Sequence, residues 1–433
     1  MAACSIELND VEIRAARGPQ VIAASPGHAL VRKGRIEIGR AAAEQAYLHP
    51  RETLSRFWQQ LGDAPLPGFG KRCRHHADLA YLHLQHLREL AGHPDSAVFA
   101  VPGHYGKAEL GLLLGISEAA GMRACGLVDA AVAAAAPHLG PGRYALLDLH
   151  QHQAIVTRLE VGETVARRGV ETVPGAGRNR FDTAYVRAIV SAFLAQARFD
   201  PLAHAATEQL LHTHLPDWLA QLAHAADLRI HVDFRGSRYE ARIEAAALAR
   251  AAAPLFTDIL RPRAPDDALV TTARLAALPG FAAACAGALV LPDDAVFCGI
   301  AMHERVFGAD GRASRLVTVL PASPEAAIAA PAAPRGRERA THLLVGPRAR
   351  PITADPLYLA PRGRLARAPT PDAAGRVFAT AEGLRVEALD GAPLLVNGAP
   401  LTAPAVLSPG DHLTFDGAGG SFIAIAVLTA DAS

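Results

Sequence analysis

Hydrophobic and polar positions alternate through the first twenty-odd residues: Ile6, Leu8, Val11 and Ile13 stand among polar neighbours, and Val21-Ile22 follows. A period of two marks half-buried strands, and Asn9-Asp10 between them predicts a tight turn. Small and apolar residues then recur at three and four over 39–49 and 51–61, which predicts two helices. The Pro- and Gly-rich stretch 63–70 predicts a loop, and 76–91 carries a strongly helical period. AVFAVPG (97–103) reads as a buried strand ended by Pro-Gly, and 107–121 as a helix that Gly121 terminates.

The order then repeats. YALLDLHQHQAIVTRLEV, from Tyr144, is strand-rich; 180–197 and 208–226 read as helices, 230–234 and 238–244 as strands, and 245–259 as a helix. Residues 266–272 read as a strand, followed by a loop and helix around Pro279-Gly280-Phe281. A hairpin followed by helices in each half predicts an α/β domain of two lobes over 1–320, each with a mixed sheet. PASPEAAIAAPAAPRGRERA (321–340) is rich in Pro and Ala and reads as a flexible linker. From 341 to 433 short strand runs separated by Gly, Pro or Asp predict a small all-β sandwich.

Composition narrows the function classes. The 43 Lys and Arg balance 42 Asp and Glu across 433 residues, which argues against a polybasic nucleic-acid binder. The longest uncharged stretch, near 275–292, is interrupted by Pro279-Gly280 and reads as a buried loop and strand, so no membrane span is expected. Five scattered cysteines form no C-x-x-C pair, and the start shows no basic segment followed by an apolar run; a reduced, cytoplasmic setting is the expectation. The commonest hydrolase, zinc-protease and P-loop patterns are absent. His76, His83 and His86 fall near one helical face, read as solvated or lobe-contacting, and His212 and His214 as polar residues at a helix end. Cys125 and Cys298 sit in apolar runs and read as core.

Six segments of residues 1–320 resemble, in order, the actin-like ATPase superfamily, most closely the nucleotide-binding domain of DnaK-type heat-shock chaperones. SIELNDVEIRAA stands where that family has its first phosphate-binding hairpin, and YALLDLHQHQAIVTRLE at its second. The others are IGRAAAEQAYLHPRETLSRFWQQLG, the stretch from VPGHYGKAELG to VDAAVAAA, GAGRNRFD and LPDDAVFCGIAM.

The departures from that family bear directly on chemistry. Gly lets backbone N–H groups approach phosphates. Here the first loop reads Glu7-Leu8-Asn9-Asp10-Val11, and the glycines of the second are replaced in Asp148-Leu149-His150-Gln151-His152-Gln153. A carboxylate at Asp10 would face and repel a polyphosphate. The family's lysine falls near Trp58, its adenosine-side Gly-Gly at Ala273-Arg274, and its Glu at Asp129. His150 and His152 alternate along a strand end and are expected to fill the space of a missing ligand. The resemblance therefore implies a nucleotide-binding fold that has lost hydrolysis, without a cofactor, acting through a protein partner. The alternative it leaves open is a divergent ATPase in which Glu7, Asp10 and Asp148 hold Mg²⁺ and, through it, ATP.

The second domain more faintly resembles a forkhead-associated domain, through LLVNGAPLTAPAVLSPGDHLTF. With the Ser and His of the family's pattern missing, the resemblance implies a sandwich kept as an interaction or structural module, and as the alternative phosphothreonine-peptide binding near Arg376 and Asn397. Asn397-Gly398 and Pro409-Gly410-Asp411 read as turns.

Overall fold

The computed structural model describes residues 4–69, 73–307, 313, 315–323, 340–345, 348–361, 363–380, 383–389, 394–407, 410–415 and 418–425. The chain divides into two compact units, Met1–Pro331 and Ala332–Ser433.

The first unit is mixed α/β and holds two six-stranded sheets with a shared plan. In one, Cys4–Glu7, Ile13–Arg17 and Gln20–Ser25 form an antiparallel meander. Ser96–Val101 and then Arg123–Asp129 add in parallel on the other side of Cys4–Glu7. In the second sheet the meander is Gly142–Leu149, Gln153–Val161 and Thr164–Pro174, with Ala268–Thr272 and Leu289–Leu291 added in parallel beside Gly142–Leu149. The segment 316–321 joins both sheets. Leu316–Val317 pairs with Arg123–Asp129, and Val319–Pro321 pairs with Thr164–Pro174.

Alternation along the central strands sets the layers, because successive side chains point to opposite faces. Phe99 and Val101 pack outward against the helices His76–Leu90 and Lys107–Ala119, while Val98 and Ala100 enter a core between the sheets. Tyr144 and Leu146 enter that same central core from the second sheet, and Ala145, Leu147 and Leu149 face an outer core with the helix Arg178–Ala197. Two short helices, Ala130–Ala135 and Ala295–Met302, line the central core and pack closely together. A Cβ at Gly299 would collide with the Ala133 carbonyl, so this crossing needs a residue without one.

Several expected elements differ. Residues 39–61 are not two helices: one turn, Arg40–Ala43, is followed by turns, and Thr53–Leu54 pairs with Ala29–Arg32. Gly39 at φ 73° and Pro50 each oppose a continuous helix there. With Arg35–Ile38 these strands form a three-stranded sheet that the sequence reading lacked, as it lacked Thr164–Pro174. Ser323 N donates to the Ala136 carbonyl, so the expected linker begins later than 321; residues 324–339 of it lie outside the described residues.

The second unit is strand-rich. A five-stranded and a six-stranded antiparallel sheet share one core of Leu343, Leu359, Val377, Leu384, Leu413 and Phe422. Asn397 and Gly398 have φ of 51° and 80°, as the tight hairpin turn expected for Asn-Gly requires.

Candidate functional site

The first meander turn of each sheet, 8–12 and 149–153, meets the other across the centre of the first unit. Asn9 donates from Nδ2 to Asp148 Oδ2 at 3.0 Å and to the Leu149 carbonyl at 3.1 Å, while its Oδ1 accepts from Val11 N. Asp10 Oδ1 accepts from Gln151 N at 2.7 Å and lies 3.1 Å from His150 Nδ1. The other ring nitrogen of His150, Nε2, is 3.5 Å from Asp148 Oδ2. Asp148 Oδ1 accepts from Leu149 N at 2.9 Å and from the Thr272 hydroxyl at 3.3 Å. His150 is thus held between two carboxylates, one from each sheet, and all three residues are largely or fully buried.

The electrostatics follow from that geometry. Burial pulls the His150 imidazole down, but hydrogen bonds to Asp10 and Asp148 and their charges outweigh it and raise it to about 9. Burial pushes both carboxyls up, and the His150 bonds and charge override this, leaving each below its usual range. His150 is therefore an imidazolium at neutral pH between two carboxylates. The neighbouring His28 and His104 show the opposite balance: burial lowers each to about 4, so both are neutral.

A second ionic group lies beside the first. Arg14 Nε donates to Glu7 Oε2 at 2.9 Å, and its Nη1 is 2.5 Å from Asp293 Oδ2. Arg274 Nη2 reaches the same Glu7 oxygen at 2.5 Å, tying the short helix Ala273–Ala276 to the first strand. Ala273 opens that helix after Thr272 and carries no polar group to the network. Asp129 caps the helix Ala130–Ala135 through Ala131 N and Val132 N and is paired with Arg167 at 2.8 Å.

Further out the halves are joined by side chains that sequence reading did not single out. Ser55 Oγ lies 2.9 Å from His152 Nε2, and Gln59 Nε2 donates to Gln153 Oε1 at 3.1 Å. Within the second half, Gln151 Nε2 donates to Asn179 Oδ1 at 2.5 Å. At the rim His212 stacks on Tyr47 with ring centres 3.6 Å apart, and Gln209 accepts from Tyr47 N and donates to the Ala43 carbonyl. His212 therefore sits within the helix Ala205–Leu222 as a contact, not at a helix end. His83 is likewise not solvated: it is buried between Trp58 Nε1 at 2.9 Å and Ser25 Oγ at 2.8 Å. Trp58 occupies core, not the cleft.

Beside this network lies one small space. A cavity of about 20 Å³ is bounded by Glu7, Gly103, Asp148, His150, Thr157 and Thr272. One ordered water needs roughly 10–15 Å³ measured this way. Among the described residues no group of three or more His, Cys, Asp or Glu side chains is arranged to hold a metal ion. None of the helices described is long and apolar enough to cross a membrane.

In the second unit Arg376 lies within the strand Gly375–Thr380, not in a loop, and its guanidinium is 2.6 Å from Glu387 on the next strand. Asn397 donates from Nδ2 to Asp411 at 2.8 Å and accepts from His412 N, joining its own turn to the Asp411 turn. Comparison with protein-family models and with curated proteins returns no match for this chain.

Proposed function

We propose that the first unit is an actin-like fold of the heat-shock chaperone class that has lost nucleotide binding and hydrolysis. On this reading it works as a scaffold that binds other proteins, with the forkhead-associated-like second unit as a further contact. The repeated plan of the two sheets supports the fold assignment: each carries a three-stranded meander with two parallel strands added.

The observation that carries the loss of nucleotide is that the two turns are bonded directly to each other, Asp10 and Asp148 through His150, with a cavity of only about 20 Å³ beside them, bounded by Glu7, Asp148 and His150. Three phosphates and a hydrated Mg²⁺ need far more than the one-water volume of this cavity. The side chains there are also committed. Gln151 N–H, a donor of the kind that would face a phosphate, is given to Asp10. Asp148 already accepts hydrogen bonds on both oxygens, from Asn9, from Leu149 N and from Thr272.

In the second unit, the pairing of Arg376 with Glu387 supports an interaction or structural module over a phosphopeptide reader, since the guanidinium already has its anion.

Titration with Mg-ATP, followed by calorimetry and thermal shift on the full chain, tests the reading. A ligand at a hundred times its Kd stabilises by about 2.7 kcal/mol. No heat and no shift are expected at millimolar Mg-ATP. Saturable binding that Asp148→Ala abolishes would make the chain a divergent ATPase instead.

A further inference from the structure

Away from the cleft, the surface beside the strand Arg35–Ile38 carries an open groove of about 550 Å³. One wall is Ile36 and Ile38; the other is a face of the helix His76–Leu90, with Asp78, Leu82, Gln85 and Glu89. Arg35–Ile38 is the edge strand of the three-stranded sheet, and among the described residues no further strand pairs with it.

The hairpin fixes which backbone groups that edge presents. Lys33 and Gly34 turn the chain at φ 48° and 77°, placing Arg32 opposite Arg35, Val31 opposite Ile36, Leu30 opposite Glu37 and Ala29 opposite Ile38. In an antiparallel pair hydrogen-bonded and non-hydrogen-bonded positions alternate, and a two-residue turn closes on a bonded pair. Arg35 and Glu37 therefore bond inward to Ala29–Arg32. The N–H and C=O groups of Ile36 and Ile38 point outward, where another strand would add. Four residues of edge are about 14 Å long, and a volume of 550 Å³ lies in the range of about 300–1,000 Å³ typical of ligand sites.

We propose that this edge and groove receive an extended segment of a partner protein as an added strand, with aliphatic side chains over Ile36, Ile38 and Leu82 and a Lys or Arg directed at Glu89 and Asp78. The outward backbone groups select an extended chain, since a helix has no free N–H row to offer them. The two carboxylates on the helix wall select a cation. Asp78 is partly neutralised by Arg74, so exposed Glu89 is the stronger attractor. A second copy of this chain fits less well, because it would bring the same two carboxylates against their counterparts. The proposal rests on the reading that the chain acts by binding proteins. The two fail separately: a nucleotide seated in the cleft sinks that reading and leaves the groove result standing.

Selection of a phage-displayed random dodecapeptide library on the full-length protein tests it. Enriched peptides are expected to alternate aliphatic residues with Lys or Arg. A synthetic enriched peptide should slow amide exchange at Ile36 and Ile38. It should bind at least tenfold more weakly to Ile38→Pro, which deletes an outward N–H and leaves the inward ladder intact, while Ile38→Val keeps affinity. Glu89→Lys, at an exposed position, should weaken binding similarly without moving the thermal midpoint, and decides the matter should Ile38→Pro not fold. The proposal is overturned by failure to enrich any peptide, by enriched peptides that are acidic or indifferent to Glu89→Lys, or by self-association at this edge.

Discussion

Replacing His150 by Gln removes the one cation between Asp10 and Asp148 while keeping a side chain of similar reach. Both carboxylates are then left buried and facing each other. Removing one partner of a buried ion pair costs about 3–5 kcal/mol. The proton affinity of His150 gives the same scale independently: a rise from 6.5 to about 9 corresponds to about 3 kcal/mol. Unfolding entropy of about 2 cal/mol/K per residue gives about 0.7 kcal/mol/K for a unit spanning Met1–Pro331, so the midpoint should fall by about 4–7 °C. The pH profile identifies the cause. A group whose folded pKa is raised contributes fully below its unfolded value near 6.5 and loses that contribution as pH rises through about 9. Scanning calorimetry of the full chain at pH 7 and pH 9.5 should show the wild-type transition of the first unit losing stability on that limb, and His150→Gln much less. Below pH 6.5 the limb reverses. His28 and His104, lowered to about 4, stay neutral in the fold, so stability falls as pH drops from 6.5 toward 4 in both proteins. Equal wild-type and His150→Gln profiles between pH 7 and 9.5, or a loss under about 1 kcal/mol at pH 7, would refute the buried imidazolium.

Two further substitutions test the packing and the rim. Gly299→Ala puts a methyl into the Ala133 carbonyl and should cost about 3 kcal/mol or more in the same calorimetric transition, whereas Gly115→Ala, in an exposed helical position with open space around it, should gain about 0.5–1 kcal/mol. Gln209→Ala removes bonds to Tyr47 N and the Ala43 carbonyl across the rim; it should cost about 1 kcal/mol and speed amide exchange at Tyr47, leaving exchange at Gln151 unchanged.

What could be read in the sequence was local. The buried strand Ser96–Val101, the helix His76–Leu90 and the hairpin at Asn397-Gly398 each follow from a short pattern or from turn chemistry. The two turns could be singled out too, because against the family the chain resembles Asn9 stands for a glycine, Asp10 for a hydroxyl, and His150, Gln151 and His152 for three glycines. What stayed hidden depends on partners far along the chain. His83 reads as solvated or lobe-contacting until Trp58 and Ser25 close around it, and no local pattern marks Gln209, which meets Tyr47 from 162 positions away. Thr164–Pro174 was missed because Arg167, Arg168 and Glu171 mask its period. Arg167 belongs there because Asp129, buried on the facing strand end, needs a cation.

On the reading proposed here, the role of Asp10 inverts the sequence expectation. A carboxylate in a phosphate loop repels a polyphosphate only while it faces an open cleft. Here Asp10 Oδ1 takes the Gln151 amide at 2.7 Å and the His150 ring at 3.1 Å, the kind of donors a phosphate oxygen would seek. The chain thereby supplies its own anion from one turn to the donors of the other, within a continuous polypeptide, and so without the translational entropy that a separate ligand must overcome. Closure held in this way does not depend on a bound nucleotide. It also removes the means by which a nucleotide-driven fold couples lobe movement to an event at its centre: nothing enters or leaves to bias open against closed. A protein built so must present its binding surfaces in one fixed arrangement, which favours a contact made by an exposed edge over one created by lobe rotation.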